Sequence, residues 1–226
     1  MRAVRRIGRI AFALVMLTLF AGCNGKPTRE VFVGELIAAD DFDSAGRWDQ
    51  MTLPDIVLDV RGGMMHIEAD SRIYAATLDY QTQTDVVIDV DARLLSEDDS
   101  NGFGIMCRAA SASTGYYFLI GGDGSGTIRR GGSRGVEALA AWTRADSVMP
   151  GAARNRIRAV CDGDYLALYV NGEFVAEARD TLYSRGYSGL VAVTTRPDQR
   201  VEVDFDLLRI YAAQSPHTPI STPTRG

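Results

Sequence analysis

The 226-residue chain predicts an all-β fold, a two-sheet antiparallel sandwich with jelly-roll topology, on three observations. Apolar residues recur with period two over most of the chain, tight-turn dipeptides punctuate them, and no stretch combines a helical period with helix length. About a dozen short strands in one domain bury their apolar faces only if two sheets face each other. Roughly 200 residues beyond the leader is an ordinary size for such a unit.

In chain order, MMHIEA (64–69), RIYAATL (72–78), DVVIDVDARLL (85–95), GFGIMCRA (102–109), GYYFLIG (115–121) and GTIRR (126–130) read as strands. In the third, Val86, Ile88 and Val90 alternate with Val87, Asp89 and Asp91, so one side faces a core and the other is wetter. VEALAAW (136–142) is short enough to be a strand, a loop or a helical turn. RIRAVCDGDYLALYVNGEFVAEA (156–178) reads as three strands joined at Asp162-Gly163 and Asn171-Gly172, because these pairs accept the positive φ of tight hairpins. SGLVAVTT (188–195) and VEVDFDLLRIY (201–211) close the set. In the last, Val201, Val203, Phe205 and Leu207 are expected inward, with Glu202, Asp204 and Asp206 facing water.

The N-terminus has four arginines, an apolar run over 10–20 and the small pair Ala21-Gly22 before Cys23. That is the pattern of an export signal, and the run is too short to span a bilayer easily. Phe20-Ala21-Gly22-Cys23 resembles the lipobox of bacterial lipoproteins, with Phe20 where leucine is usual. The resemblance implies a signal peptide over 1–22, cleavage before Cys23, lipidation of its thiol, and a lipidated tether over 23–35. The protein would then be extracytoplasmic and held at the membrane by lipid; an ordinary secretory signal is the alternative. Cleavage removes Arg2, Arg5, Arg6 and Arg9 and takes the formal charge from −5 to −9. With no basic run left, the composition argues against a nucleic-acid partner. Residues 213–226, rich in Pro, Ser and Thr, read as a disordered tail. In an oxidising compartment Cys107 and Cys161 form an even pair, as a disulfide or as two buried thiols.

DDFDSAGRWD near the start, GFGIMCRAASASTGYYFLIGGDGSGTIRR, NRIRAVCDGDYLALYVNGEFV and the closing VEVDFDLLRIY resemble the concanavalin A-like lectin/glucanase superfamily, in particular its laminin-G-like and keto-disaccharide hydrolase-like domains. The resemblance covers about 36–212. It implies a jelly roll whose first and last strands are neighbours, a cysteine pair of the Cys107–Cys161 kind, and a structural calcium in some members. Activity stays open, since the superfamily holds both enzymes and binding modules.

Glu202 and Asp204 are the candidate catalytic pair. Residues two apart on a strand lie about 6.8 Å apart on one side, within the range of two-carboxylate glycoside hydrolysis. The segment resembles the Glu-x-Asp-x-x-Glu or Glu-x-Asp-x-Glu strand of laminarinase-type glycosidases. It departs from that strand in the shorter Asp206 and in lying on the closing strand, so a solvated face is expected. Only His66 and His217 are available as histidines, and no transition-metal site is expected from them. Glu97, Asp98 and Asp99 in SEDDSNG and Asp123 in GGDGSG raise calcium as a possible structural cofactor, without EF-hand spacing. For sugar binding, aromatic faces and planar hydrogen-bonding groups point to Tyr117, Trp142, Arg108 and Arg130; Arg134 and Arg144 read as surface charges. The expected function is a membrane-anchored, non-catalytic module recognising a carbohydrate or an envelope protein. The alternatives are a glycoside-processing hydrolase of the same fold and a structural envelope lipoprotein without a small ligand.

Overall fold

The computed structural model describes residues 25–216, apart from Arg47, Ser71, Arg72, Ser100 and Thr195. Cys23, the leader and residues 217–226 lie outside the described residues. Fifteen strands follow in chain order, with no helix among the described residues: β1 (Phe32–Asp40), β2 (Met51–Thr52), β3 (Ile56–Arg61), β4 (Met64–Asp70), β5 (Ala75–Gln83), β6 (Val86–Leu94), β7 (Asn101–Ser111), β8 (Thr114–Ile120), β9 (Ser125–Gly132), β10 (Gly135–Arg144), β11 (Arg154–Asp162), β12 (Tyr165–Val170), β13 (Glu173–Arg179), β14 (Gly186–Thr194) and β15 (Arg200–Gln214). VEALAAW is therefore strand, within β10. The regular structure begins inside the expected tether and ends two residues into the expected tail.

All pairings are antiparallel and make two sheets. One has nine strands in the order β13-β12-β11-β6-β15-β4-β3-β2, with β1 also on β15; the other has six, in the order β10-β9-β8-β7-β14-β5. First and last strands are thus neighbours. The main core lies between the sheets, where Ile88, Ile157, Val203 and Phe205 of the larger meet Phe103, Ile105, Tyr116 and Phe118 of the smaller. Cys107 on β7 and Cys161 on β11, both fully buried, form a disulfide that ties one sheet to the other.

The closing strand follows its expected alternation only as far as Phe205. Val201, Val203 and Phe205 are fully buried, but Leu207 has φ +54° and the register against β6 shifts between Asp206 and Arg209. This bulge inserts an extra residue and hands the core side to Leu208 and Ile210. Leu207, expected inward, is only half-buried.

Outside the larger sheet, charges pair across strands in register. Arg158 faces Asp89 and Arg156 faces Asp91, with bonds of 2.7 Å and 2.9 Å respectively; such opposite-charge pairs stabilise a sheet by a few tenths of a kcal/mol to about 1 kcal/mol each. The segment before β1 lies against the same sheet. Thr28 donates its amide to Glu177 at 2.8 Å, and Arg29 pairs with Asp162 at 2.8 Å while lying over the Tyr165 ring.

Candidate functional site

The outer side of the six-stranded sheet is the counterpart of that charged face and has the opposite character. Met106, Tyr117, Leu119 and Val191 are fully buried there, with half-buried Tyr74, Trp142 and Tyr187 packed over them. The middle of this face is therefore filled. It opens at one end, where a cleft of about 520 Å³ is lined by Asp99, Asn101, Asp123, Ser125, Trp142, Arg144 and Arg196.

Each lining group arrives from the end of a strand or the turn beside it. Trp142 and Arg144 are two apart on β10 and so project to the same side. The indole reaches across the sheet because β7 has glycine beneath it. A β-carbon at position 102 would stand 3.3 Å from Trp142 Cη2 and 3.2 Å from Leu119 Cδ1, so a larger residue would push the ring outward. Asp123 sits in the turn between β8 and β9, held by its Oδ1, which accepts the Ser125 amide at 3.0 Å. Gly124, at φ +86°, lets that turn close. Asn101 accepts the Gly122 amide at 3.2 Å and fixes the neighbouring loop. The side chains of Asp99, Arg144 and Arg196 have no hydrogen-bond or ion-pair partner among the described residues. The cleft thus offers one half-buried aromatic face, two carboxylates, an amide, a hydroxyl and two guanidiniums. That chemistry recognises a polyhydroxylated ring by stacking and by planar hydrogen bonds.

Of the residues singled out from the sequence for sugar binding, Trp142 alone lines this cleft. Tyr117 is fully buried; its hydroxyl donates to the Ala112 carbonyl at 2.8 Å, burial pushes its pKa up, and Tyr74 covers its ring at 5.2 Å between centroids. Arg108, 3% exposed, is a strut inside the fold. It donates to the carbonyls of Thr84, Gly163 and Tyr183 at 2.9, 2.7 and 3.0 Å and to Asp85 at 2.8 Å, aimed there by φ +50°. Arg130 is taken up by Glu137 and Asp180. The same Asp180 accepts the Tyr116 hydroxyl at 2.6 Å, whose pKa burial and this bond push up to about 12.

Glu202, Asp204 and Asp206 lie on the other sheet, facing outward. They are partly buried and engaged: Asp204 bonds His66 at 2.8 Å, Glu202 lies 3.6 Å from Arg61, and Asp206 lies 3.4 Å from Arg154. None lines the main cleft. Asp99 and Asp123, raised from the sequence as possible calcium ligands, both line the cleft. Among the described residues, the three-ligand group is His66, Glu68 and Glu202. Arg144 and Arg196 were not legible as site residues, since an arginine at a strand end carries no mark of what stands across from it.

No family model matches the chain, and no curated protein matches it. Solved structures do. The carbohydrate-binding module CBM66 from Bacillus subtilis superposes with a TM-score of 0.58 at 15% identity, covering 74% of this chain and 96% of that one. A Bacillus subtilis protein of unknown function with a galectin-like fold gives 0.62 at 12% identity, covering 82% and 100%. A GH43 protein from Bacillus licheniformis gives 0.58 at 15% identity, covering 77% of this chain and 39% of the other. At these identities the likeness establishes the fold, a two-sheet jelly roll of the kind found in carbohydrate-binding modules and in domains of glycoside hydrolases.

Proposed function

We propose that the chain is a glycan-binding module displayed outside the cytoplasm on a lipid anchor at Cys23, and that the sugar enters the cleft beside Trp142. The observation that carries this is the half-buried indole laid over Gly102, ringed by hydrogen-bonding side chains of which Asp99, Arg144 and Arg196 are unengaged. The fold shared with a carbohydrate-binding module supports it. The reading is without catalysis: the two-carboxylate pair Glu202 and Asp204 is engaged with Arg61 and His66 on the other sheet.

A glycan array probed with the purified chain, followed by titration calorimetry on the best ligand, tests the proposal. Trp142→Ala should weaken binding by about 2 kcal/mol, the scale of a buried aromatic anchor, and, because the ring also covers the cluster around Leu119, lower the melting temperature without unfolding the protein at the assay temperature. Release of reducing sugar from a bound glycan would favour the hydrolase. Absence of any glycan binding, with envelope proteins co-purifying, would favour the structural lipoprotein.

A further inference from the structure

On the outer side of the nine-stranded sheet, β4 and β15 place His66 opposite Asp204 and Glu68 opposite Glu202. His66 is fully buried, so both ring nitrogens need partners. Nδ1 lies 2.8 Å from Asp204 Oδ1; a carboxylate only accepts, so a ring proton belongs there. Nε2 faces Glu68 Oε1 at 2.9 Å, Glu202 Oε1 at 3.6 Å and Arg61 Nη2 at 2.6 Å. No proton arrangement satisfies all of these. With Nε2 bare, its lone pair confronts the Glu68 carboxylate; with Nε2 protonated, its N–H confronts an arginine N–H. Two glutamates directly opposed on neighbouring strands also repel. A cation that accepts lone pairs from all three groups removes both conflicts.

We infer that His66 Nε2, Glu68 and Glu202 form a binding site for a zinc-class divalent ion, whose place the Arg61 guanidinium takes in this structure. The candidate ligand atoms lie within 4.8 Å of one another. A tetrahedral zinc bound at about 2.0–2.1 Å holds its ligands about 3.3 Å apart, and the two carboxylate distances from Nε2 bracket that value. The Asp204 bond to Nδ1 is the contact by which a carboxylate fixes the tautomer of a metal-bound imidazole and raises its basicity. One imidazole and two carboxylates, with a fourth position for water, suit zinc better than calcium, which takes six to eight oxygens. Arg61 ends β3 beside the Gly62-Gly63 turn and its side chain is 51% exposed, so it can swing into solvent as the ion enters. The dication then takes over the charge that Arg61 supplied, while Arg200 stays paired with the other Glu68 oxygen, Oε2, at 2.9 Å.

The test uses the full chain, untagged and stripped with a chelator, titrated with zinc chloride alone and followed by calorimetry and thermal melting. One zinc per chain and a raised melting temperature are expected. Glu202→Gln should weaken binding by at least about tenfold while leaving the metal-free melting temperature near wild type. Arg61→Ala, which removes the competing cation, should tighten it. His66→Gln should abolish binding, but the buried ring makes that variant prone to misfolding, so Glu202→Gln and Arg61→Ala decide. No uptake up to about 1 mM zinc, unchanged affinity in Glu202→Gln, or uptake of calcium in preference to zinc would each overturn the assignment.

Discussion

Glu202 and Asp204 sit two apart on one strand and face the same way, yet their surroundings give them different weight. The Asp204 side chain is 14% exposed and carries a bond to a fully buried histidine, whereas Glu202 is 35% exposed. In metal-free protein, Asp204→Ala should cost about 1–3 kcal/mol, because the buried Nδ1–H of His66 loses its acceptor. Asp204→Asn keeps an acceptor oxygen and should cost less than half as much. Glu202→Gln should stay within about 0.5 kcal/mol. Phe205→Ala, on the core side of the same strand, should cost about 3–5 kcal/mol. Urea unfolding of the four variants checks the order, and a neutral Asp204→Ala would show that His66 finds another partner.

Two elements tie this sandwich together beyond its core. The disulfide joins β7 of one sheet to β11 of the other across a sequence separation of 54. In the chain-entropy model, closing a loop of that length stabilises the fold by about 4 kcal/mol. Replacing both cysteines by serine should lower stability on that scale, with chemical denaturation as the measure. The second element is the segment before β1, clamped by Glu177. Burial pushes the Glu177 carboxyl up, but the Thr28 amide, the Tyr165 hydroxyl and Arg179 together outweigh it and hold its pKa below the ordinary 4.5. With the folded pKa below the unfolded one, the clamp contributes fully above 4.5 and is lost as pH falls through the lower folded value. The gap in melting temperature between wild type and Glu177→Gln should therefore hold steady above pH 4.5 and close as pH falls below it through the lowered folded value. A gap independent of pH would mean that the carboxylate charge has no part in the clamp.

Across the whole molecule, the cleft and the docked segment before β1 fall to different sheets. Every residue of the cleft comes from strands of the six-stranded sheet or from the loops at their ends. Thr28 and Arg29, in the segment before β1, instead dock on β11, β12 and β13 of the nine-stranded sheet. Cys23→Ser should move the protein from the membrane to the soluble fraction, since stable anchoring needs the acyl chains, while glycan affinity in solution stays at the wild-type value. Continued sedimentation with membranes would remove lipidation as the anchor.

Period-two alternation and the Asp-Gly and Asn-Gly turns determined the all-β class and the inward faces of most strands, because strand geometry makes local pattern and facing equivalent. The pairing potential of Cys107 and Cys161 was legible from the cysteine count. Local pattern is silent on bulges, so Leu207 and Leu208 exchanged sides and Arg108 turned inward as a strut. It is equally silent on what stands across a strand. Counting histidines offered no metal site, and it is the register of β4 against β15 that sets Glu68, Glu202 and Asp204 around His66, the histidine among the described residues. Asp99, Asp123, Trp142, Arg144 and Arg196 come from four separate parts of the chain. Their meeting is a product of sheet order, which long-range pairing decides and no window of sequence contains.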